Sequence, residues 1–320
     1  MSTPIKRIGV LTSGGDAPGM NAAVRAVVRT AAFYELDCIA IYRGYQGLID
    51  DHTKIMNPRS VNNIINKGGT VLKSARCLEF RTIEGRKKAF GVIQKHNIDA
   101  LVVIGGDGSF TGAMIFQKEF GIPVIGIPGT IDNDIFGTTH TIGYDTALNT
   151  VIDAIDKIRD TAISHNRLFF VEVMGRDAGH IALNTGVGAG AEEILIPEEN
   201  MGLDRLLESL NRSEKSGKSS SIVVVAEGDK TGKNVFEIAE YVEKNMPHYE
   251  VRVSVLGHMQ RGGSPSCFDR VLASRMGVHA VEALKDGNSN VMVGIKEDQM
   301  ILTPLSKAIK GKSEINKSIL

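Results

Sequence analysis

Two short apolar runs, each followed by a loop of glycine and acidic residues, constrain this chain more than any other feature. The run 100–104 leads into Gly-Gly-Asp-Gly-Ser at 105–109, and the run 123–127 leads into Pro-Gly-Thr-Ile-Asp-Asn-Asp at 128–134. Short β-branched runs bounded by glycine and proline are typical of buried parallel strands. Ligands of open α/β sheets bind beyond the carboxyl ends of such strands. The pattern therefore predicts a crevice for phosphate groups, a divalent cation and a general base.

Strand and helix patterns alternate along the rest of the chain. Strands are predicted at 7–12, 38–42, 100–104, 123–127, 168–174, 193–196, 221–226, 251–256 and 291–295. Helices are predicted at 20–34, 60–66, 83–96, 112–119, 146–164, 181–187, 203–213, 235–245 and 267–284. This alternation indicates an α/β fold with largely parallel sheets and right-handed crossovers. A length of 320 residues favours about two domains.

Charge and composition narrow the partners that we expect. The 37 basic residues are balanced by 37 acidic ones, so nothing favours a nucleic-acid partner, which would need a basic excess. No apolar run is long enough for a membrane span, and the amino terminus has no signal-peptide core. The three cysteines show no metal-ligand spacing. We expect a cytoplasmic protein with no nucleic-acid or membrane partner.

Two glycine-rich loops are candidate phosphate sites. Residues 13–19 lie between a predicted strand and helix, where backbone N–H groups meet an anion at a helix start. The alternative is a plain strand–helix turn that needs glycine for a positive φ. In the loop 105–109, Asp107 offers the oxygen ligand that Mg²⁺ prefers. The alternative there is a glycine-rich turn with a helix-capping aspartate.

The segment 130–134 carries two carboxylates two residues apart. Phosphoryl transfer needs a carboxylate near the attacking hydroxyl and positive charge around the transferring group. Asp132 is the candidate base, and Asp134 is the candidate for a position near the metal. An equally good interpretation from spacing alone is an Asx-turn cluster that uses both aspartates for backbone hydrogen bonds.

Several arginines fall in predicted loops or at predicted strand ends. They are Arg76, Arg167, Arg176, Arg252 and Arg261, with His258 near the last of them. An arginine fork suits phosphate, although any one of them taken alone is more typical of a solvated surface charge. The glycine-rich settings around Arg176 and Arg261 favour phosphate recognition for the set. His258 is better interpreted as a phosphate ligand than as a base.

Taken together, these motifs resemble the bacterial ATP-dependent 6-phosphofructokinases over nearly the whole chain. The resemblance depends on the segments 11–21, 105–109, 128–134, 174–176 and 257–265, in this order. It implies two Rossmann-like three-layer α/β/α domains with mostly parallel sheets. The ATP-binding domain would comprise 1–142 and 259–309, and the sugar-phosphate domain 143–258 and 310–320. The activity implied is phosphorylation of fructose 6-phosphate at its 1-hydroxyl, the committed step of glycolysis, under allosteric control.

The resemblance also implies individual roles. ATP would contact Gly15, Arg76, Cys77, Gly106, Asp107, Gly108 and Ser109, with Asp107 on Mg²⁺. Asp132 would take the proton of the hydroxyl, Thr130 would lie beside the phosphoryl, and Arg76 and Arg176 would stabilise its charge. Fructose 6-phosphate would contact Thr130, Ile131, Asp132, Met174, Gly175, Arg176, Glu227, His258, Met259, Gln260 and Arg261. Arg167 and Arg252 would reach the sugar phosphate of a neighbouring subunit in a homotetramer.

Donor and effector positions follow from the same resemblance. Pyrophosphate-using relatives carry an acid where Gly108 stands and a lysine where Gly129 stands, so ATP is the expected donor. Effector positions that match the family are Arg25, Arg29, Arg159, Glu192 and Lys218, whereas Pro58, Ser216 and Ser219 replace basic residues. We therefore expect weakened control by ADP or phosphoenolpyruvate. The alternatives are a pyrophosphate-dependent enzyme, an NAD kinase and a non-catalytic effector-binding subunit.

Overall fold

The computed structural model describes residues 5–163, 167–199, 202–215, 221–311 and 313–319, which form two compact units. The first unit comprises Met1–Ile131, Ile135–Thr146 and Arg261–Ser313. The second comprises Asp132–Asp134, Ala147–Gln260 and Glu314–Leu320. The chain therefore changes unit after residues 131, 134, 146, 260 and 313, whereas the sequence placed changes after 142, 258 and 309.

The first unit is built on a seven-stranded sheet. Its strands are β1 (Arg7–Thr12), β2 (Asp37–Ile41), β3 (Thr53–Met56), β4 (Ala100–Gly105), β5 (Val124–Pro128), β10 (Val291–Lys296) and β11 (Gln299–Pro304). They lie in the order β11-β10-β5-β4-β1-β2-β3. The five inner strands are parallel, and the two edge strands pair antiparallel with their neighbours. Strands β1, β4 and β5 are almost wholly buried, as their uniformly apolar sequences require.

Helices cover both faces of this sheet. They are α1 (Met20–Phe33), α2 (Gly44–Ile49), α3 (Ile83–Lys95), α4 (Asp107–Phe120), α9 (Cys267–Lys285) and α10 (Leu305–Lys310). Helices α2, α3, α4 and α10 contribute apolar side chains to one core that includes Leu48, Ile93 and Phe116. Helices α1 and α9 pack on each other so closely that a Cβ at Gly277 would lie 2.5 Å from the Cβ of Ala26.

The second unit is built on a four-stranded, fully parallel sheet. Its strands are β6 (Arg167–Val173), β7 (Glu193–Leu195), β8 (Ser221–Ala226) and β9 (Glu250–Val255), in the order β7-β8-β6-β9. The helices are α5 (Tyr144–Ile163), α6 (His180–Gly188), α7 (Leu203–Lys215) and α8 (Val235–Asn245), and α5 begins in the first unit. Phe170, Leu206, Val223 and Ile238 are among the residues of its core.

The α/β fold class with two largely parallel sheets is confirmed, but the helix predicted at 60–66 is wrong. Pro58 begins a 3-10 helix that ends at Val61, and Asn63 has a φ of 55°, which is incompatible with a helix. The sequence analysis also missed α2, β3, β11 and α10. Two of these are antiparallel edge strands and two are helices of six residues, so neither kind carries a long periodic pattern. No helix in the described part of the chain is long and apolar enough to cross a membrane.

Candidate functional site

The glycine-rich loops of the first unit meet at the point where its strand order reverses. From β1 the chain continues to the neighbouring β2, whereas from β4 it continues to β5 on the other side. Ser13 N–H donates to the carbonyl of Ile104 (2.9 Å), and Gly129 N–H donates to the carbonyl of Gly105 (3.0 Å). The loops that follow β1, β4 and β5 thus lie side by side, in the crevice where doubly wound sheets bind ligands.

The loop after β4 requires glycine because other backbone lies against it. A Cβ at Gly105 would lie 2.4 Å from the carbonyl oxygen of Ser13 and 2.6 Å from Oγ of Ser109. Gly106 is the N-cap of α4 and has no side chain to satisfy the first N–H groups of the helix. A Cβ at Gly108, by contrast, would meet nothing within 4 Å. The start of α4 therefore borders open space at Gly108, as a phosphate site at a helix start needs.

Asp107 occupies the first helical position of α4 and is exposed, so it is not the N-cap residue of the helix. A carboxylate at a helix start interacts favourably with the positive end of the helix dipole. Among the described residues there is no group of three or more His, Cys, Asp or Glu side chains that would hold a metal. As an exposed carboxylate at a helix start, Asp107 offers an oxygen ligand of the kind that Mg²⁺ takes alongside phosphates and water.

The loop after β1 is in contact with the side chain of Arg261. Gly14 and Gly19 have φ values of 85° and 107°, so both glycines have the positive φ of a tight turn. Gly15 is exposed, and a Cβ there would lie 2.3 Å from Nη1 of Arg261. The same nitrogen donates to the carbonyl of Asp16 (3.3 Å). The loop therefore has the positive φ values of an ordinary strand–helix turn, and the Arg261 cation also lies against its surface.

Arg76 and Cys77 lie in an irregular segment between the 3-10 helix that ends at Val61 and α3. Arg76 is exposed and Cys77 is half-buried, and burial raises the pKa of the Cys77 thiol. Tyr45, which was not predicted from the sequence, stabilises this region. The Tyr45 hydroxyl donates to the carbonyl of Ser109 (2.6 Å), and its ring stacks on Phe80 with centroids 4.0 Å apart. Tyr45 lies in the unpredicted helix α2, so no periodic pattern marked it.

The segment after β5 is the place where the chain passes from the first unit to the second. Thr130 and Ile131 belong to the first unit, and Asp132 opens the second. Asp132 is buried, with 5% of its surface exposed, and Asn133 has a φ of 53°. The hydroxyl of Thr141 donates to the carbonyl of Thr130 (2.6 Å). A carboxylate is thus placed in a buried turn just past the carboxyl end of β5, where burial of its charge costs free energy unless hydrogen bonds or opposite charges compensate for it.

In the second unit, Met174, Gly175 and Arg176 form a tight turn at the carboxyl end of β6. Gly175 and Arg176 have φ values of 140° and 55°. A carboxylate oxygen of Glu227 accepts hydrogen bonds from the N–H groups of both, at 3.3 and 2.7 Å. Burial raises the pKa of the nearby Glu172 carboxyl, and Glu227 raises it further. Glu227 therefore holds the backbone of the turn that carries the exposed Arg176.

The 3-10 helix Gly257–Arg261 carries both exposed and buried side chains. His258 and Met259 are exposed, whereas Gln260 is fully buried. The Gln260 amide accepts from the Met174 N–H (3.2 Å) and donates to the Gly257 carbonyl (3.0 Å). The contact with fructose 6-phosphate that the resemblance implies for Gln260 stays a prediction. Its side chain is committed to joining two loops of the second unit.

Arg167 and Arg252 lie near the opposite end of the same sheet. Arg167 is the first residue of β6, and Nε donates to the Glu250 carboxylate (3.0 Å), which also pairs with Arg252. Seven residues of strand span roughly 20 Å, so Arg167 is far from the turn at Met174. Arg167 and Arg176 therefore lie toward opposite ends of β6.

The effector candidates lie partly in each unit. Arg25 is half-buried and Arg29 exposed on α1, in the first unit. In the second unit Arg159 donates to the carbonyls of Ala189 and Gly190 (2.5 and 3.2 Å), and Glu192 accepts from the Ile222 N–H (2.5 Å). Lys218, Ser216 and Ser219 lie outside the described residues. A cavity of about 430 Å³ in the second unit is lined by Glu192, Glu193, Glu199, Arg205 and several apolar side chains.

The fold and the first unit's loops define a doubly wound α/β protein with glycine-rich turns at the switch point of its sheet, where this class of protein binds its ligands. The particular family follows from comparison with known proteins. The model of the family described as phosphofructokinase matches residues 7–284. The chain belongs to the phosphofructokinase family.

Individual relatives match almost the whole chain. The "ATP-dependent 6-phosphofructokinase 2" of Bacteroides thetaiotaomicron is 55% identical over 316 residues, which are 99% of this chain and 97% of that protein. The "ATP-dependent 6-phosphofructokinase 1" of Thermus thermophilus is 54% identical over 99% of this chain and 98% of its own. The solved phosphofructokinase of Saccharomyces cerevisiae superposes with a TM-score of 0.90 at 38% identity. That match covers 95% of this chain but 45% of the longer yeast chain.

Proposed function

We propose that the chain transfers the γ-phosphoryl group of ATP to the 1-hydroxyl of fructose 6-phosphate, giving fructose 1,6-bisphosphate and ADP in glycolysis. The observation that carries this proposal is the pair of glycine-rich phosphate loops at the switch point of a chain that belongs to the phosphofructokinase family. Two relatives that match over nearly the full length of both chains and are named as ATP-dependent support ATP as the co-substrate.

The first unit binds the nucleotide in this proposal. Backbone N–H groups of Gly15 and of the segment 106–109 contact the phosphates, because the glycines leave room for close approach. Arg76 and Cys77 border the same site. Asp107 would hold Mg²⁺, which would supply positive charge next to the phosphate groups of the nucleotide. This assignment is supported by the exposed position of Asp107 at the start of α4.

Asp132 is the general base of the proposed reaction. It removes the proton of the sugar 1-hydroxyl as the oxygen attacks, which makes this oxygen a better nucleophile. Its buried position fixes the carboxylate within a turn whose backbone is held by neighbouring residues. Thr130 lies beside the transferring phosphoryl group, and Arg76 and Arg176 stabilise the charge that this group gains.

The second unit binds the sugar phosphate. Met174, Gly175 and Arg176 supply the turn that contacts fructose 6-phosphate, and Ile131, Glu227, His258, Met259 and Arg261 complete the contacts. Gln260 acts indirectly, since both ends of its amide hold the two loops in place. Arg167 and Arg252 serve the site of a neighbouring subunit in a homotetramer, an assignment supported by their position at the far end of the sheet.

The donor depends on two glycines. A carboxylate at position 108 would enter the open space at the start of α4 and repel a nucleotide phosphate. A side chain at position 129 would meet Cε of Met20 at 3.0 Å and Cγ2 of Ile104 at 3.1 Å, so a lysine would need the core to shift. Both positions therefore favour ATP over pyrophosphate.

The test is a steady-state assay of fructose 6-phosphate with MgATP and with magnesium pyrophosphate. We expect turnover with ATP that exceeds turnover with pyrophosphate by at least about 10³-fold in kcat/KM. Turnover with pyrophosphate alone would identify the other donor class. Phosphorylation of NAD in place of the sugar, or no turnover with either donor, would contradict the proposal.

Control of the enzyme by ADP and phosphoenolpyruvate is weakened in this proposal. Pro58, Ser216 and Ser219 stand where the resembling family places cations, and each missing cation weakens a contact to an effector phosphate. Arg25, Arg29, Arg159, Glu192 and Lys218 supply the effector contacts that are kept. Sigmoidal inhibition by phosphoenolpyruvate in the cytoplasmic concentration range, relieved by ADP, would contradict this part of the proposal.

A further inference from the structure

A buried asparagine on α1 holds the irregular segment that leads to Arg76. Asn21 lies in the first turn of α1 and is 1% exposed. Its side-chain nitrogen donates to the carbonyls of Lys67 (2.9 Å) and Gly68 (3.1 Å). Its side-chain oxygen accepts from the N–H of Val71 (2.7 Å). Both donors and the acceptor of the amide are therefore used on a single stretch of backbone.

The stretch that Asn21 contacts has no helix or strand of its own. Between residues 62 and 77 the backbone forms only turns and extended segments, so its path depends on side-chain and tertiary contacts. Three further contacts agree with the path that Asn21 sets. The hydroxyl of Thr12 bonds Oγ1 of Thr70 (2.8 Å) and the carbonyl of Lys73 (3.0 Å), and the N–H of Arg43 donates to the carbonyl of Leu72 (2.7 Å).

The held segment also approaches the glycine-rich loops. A Cβ at Gly68 would lie 2.2 Å from the carbonyl oxygen of Gly263, and a Cβ at Gly69 would lie 3.7 Å from Oδ2 of Asp16. Leu72, four residues before Arg76, is fully buried, and its burial fixes the backbone at this point. Every contact named here lies within the first unit.

We propose that Asn21 is a positioning residue for phosphoryl transfer, which acts by fixing segment 67–76 so that the guanidinium of Arg76 reaches the transferring group. This inference rests on the proposed function, because it is that function which gives Arg76 a phosphoryl group to stabilise. Asn21 touches neither substrate; its effect passes through the backbone. Displacement of a charge-stabilising group by about 1 Å costs on the order of 10²-fold in rate.

Asparagine suits this position because no other side chain of its size offers two donors and an acceptor. Aspartate has the same shape but no donor, so in Asn21→Asp the carboxylate faces the carbonyls of Lys67 and Gly68 and repels them. We expect kcat to fall about 10²-fold while the KM for fructose 6-phosphate changes by less than about threefold. The matched control is Asn62→Asp, an exposed asparagine, which should leave both constants unchanged.

A double-mutant cycle separates positioning from a general structural defect. In an Arg76→Ala background the guanidinium is already absent, so Asn21→Asp should lower kcat by less than about threefold. Hydrogen exchange gives a readout that does not depend on activity: peptides that cover 67–76 should exchange faster in Asn21→Asp than in the wild type, and other peptides should not. If Asn21→Asp does not fold, the same cycle and exchange are measured with Thr70→Val, which removes the bond to Thr12.

The possible outcomes are distinct. A folded Asn21→Asp variant with wild-type kcat overturns the inference, as does unchanged exchange in 67–76. A full 10²-fold penalty in the Arg76→Ala background also overturns it, because Asn21 would then act independently of Arg76. If the wild-type protein fails to phosphorylate fructose 6-phosphate with ATP, the proposed function fails, whereas faster exchange would still show that Asn21 holds the segment.

Discussion

The two units share a parallel α/β design but present their candidate ligand groups in different ways. In the first unit the groups are mostly backbone N–H groups of glycine-rich turns, crowded against one another where β1 and β4 end. In the second unit they are mostly side chains, and these lie at both ends of one sheet. The proposed nucleotide site thus depends on the path of the chain, and the proposed sugar-phosphate site depends on which side chains the strands carry.

This difference predicts that the two sites tolerate substitution differently. A backbone site fails when anything larger than hydrogen is placed at a crowded glycine, since the backbone opposite has no freedom to move aside. A side-chain site can lose one arginine and keep its fold, because the loss affects binding and leaves the sheet intact. Substitutions can test this contrast, beginning with Asp132, where the chain first passes from the first unit to the second.

Replacement of Asp132 by asparagine should have the largest effect on turnover. Asp132 follows the glycine-rich loops of the first unit and is the first residue assigned to the second unit. Its proposed role is removal of a proton in the transition state. We expect kcat to fall about 10³-fold or more, with little change in either KM. The measurement is steady-state kinetics with saturating MgATP. The control Asp134→Asn, which neutralises the carboxylate two residues later, should lower kcat much less. Near-normal turnover of Asp132→Asn would contradict the assignment of Asp132 as the base.

Subunit mixing tests the arginines at the two ends of the second sheet. Arg176→Ala and Arg167→Ala should each lower turnover about 10²-fold, because each leaves a phosphate group without its cation. If Arg167 serves a neighbouring subunit, mixed oligomers of the two variants contain sites with both arginines intact. Activity in an equimolar mixture should then recover to roughly a quarter of the wild-type value if partners pair at random. Absence of any recovery after exchange of subunits would place both arginines in the same chain's site.

Two neighbouring glycines sharpen the contrast within the first unit. Gly105→Ala brings a Cβ to 2.4 Å from the Ser13 carbonyl oxygen, so we expect a loss of about 3 kcal/mol in the free energy of unfolding. At Gly108 there is open space, so Gly108→Ala should retain wild-type stability and affect only ATP binding. Urea unfolding of both variants checks this. Equal stability of the two would show that the loop after β4 is less crowded than its geometry indicates.

A smaller effect concerns the pH dependence of stability in the first unit. Asp269 is fully buried in α9 and accepts hydrogen bonds from the N–H groups of Gly143 and Thr146 at 2.8 Å, and burial raises its pKa to about 6. Because the folded-state pKa lies above the unfolded-state value, this carboxyl contributes stability that is present below about pH 4 and is lost as the pH rises through about 6.

The expected loss across that window is on the order of 2 kcal/mol, and it should be absent in Asp269→Asn, which does not titrate. The measurement is the free energy of unfolding of both proteins at intervals between pH 4 and pH 7. A wild-type curve that is parallel to that of Asp269→Asn would show that the hydrogen bonds from Gly143 and Thr146 keep the carboxyl ionised.

Much of the fold and the first unit's loops followed from sequence because the signals there are local. The apolar runs before residues 105 and 128 are buried strands directly followed by glycine, although the atoms that crowd Gly105 and Gly129 include those of the distant residues Ser13 and Met20. Edge strands and short helices were missed because they lack a long period: β11, for example, pairs only with β10 across a two-residue turn. The side chain of Tyr45 lay in one of these missed elements.

The second unit's site was harder to predict because strand direction decides which side chains meet. Arg167 and Arg176 are nine positions apart and both border a predicted strand, yet one lies at its amino end and the other beyond its carboxyl end. Gln260 and Met259 are adjacent, but one is buried and the other exposed. Asn21 stands in a recognised motif, but its contacts to residues 67–71 depend on a loop whose path no local pattern specifies.

The division of binding between the two units is tested most directly by equilibrium calorimetry with two ligands and two variants. The ligands are a non-hydrolysable MgATP analogue and fructose 6-phosphate, and the variants are Gly108→Glu and Arg252→Ala. We predict that Gly108→Glu loses the nucleotide and keeps the sugar phosphate, whereas Arg252→Ala weakens the sugar phosphate and keeps the nucleotide. The account would be contradicted if Gly108→Glu bound the nucleotide normally, or if either variant lost both ligands while remaining folded.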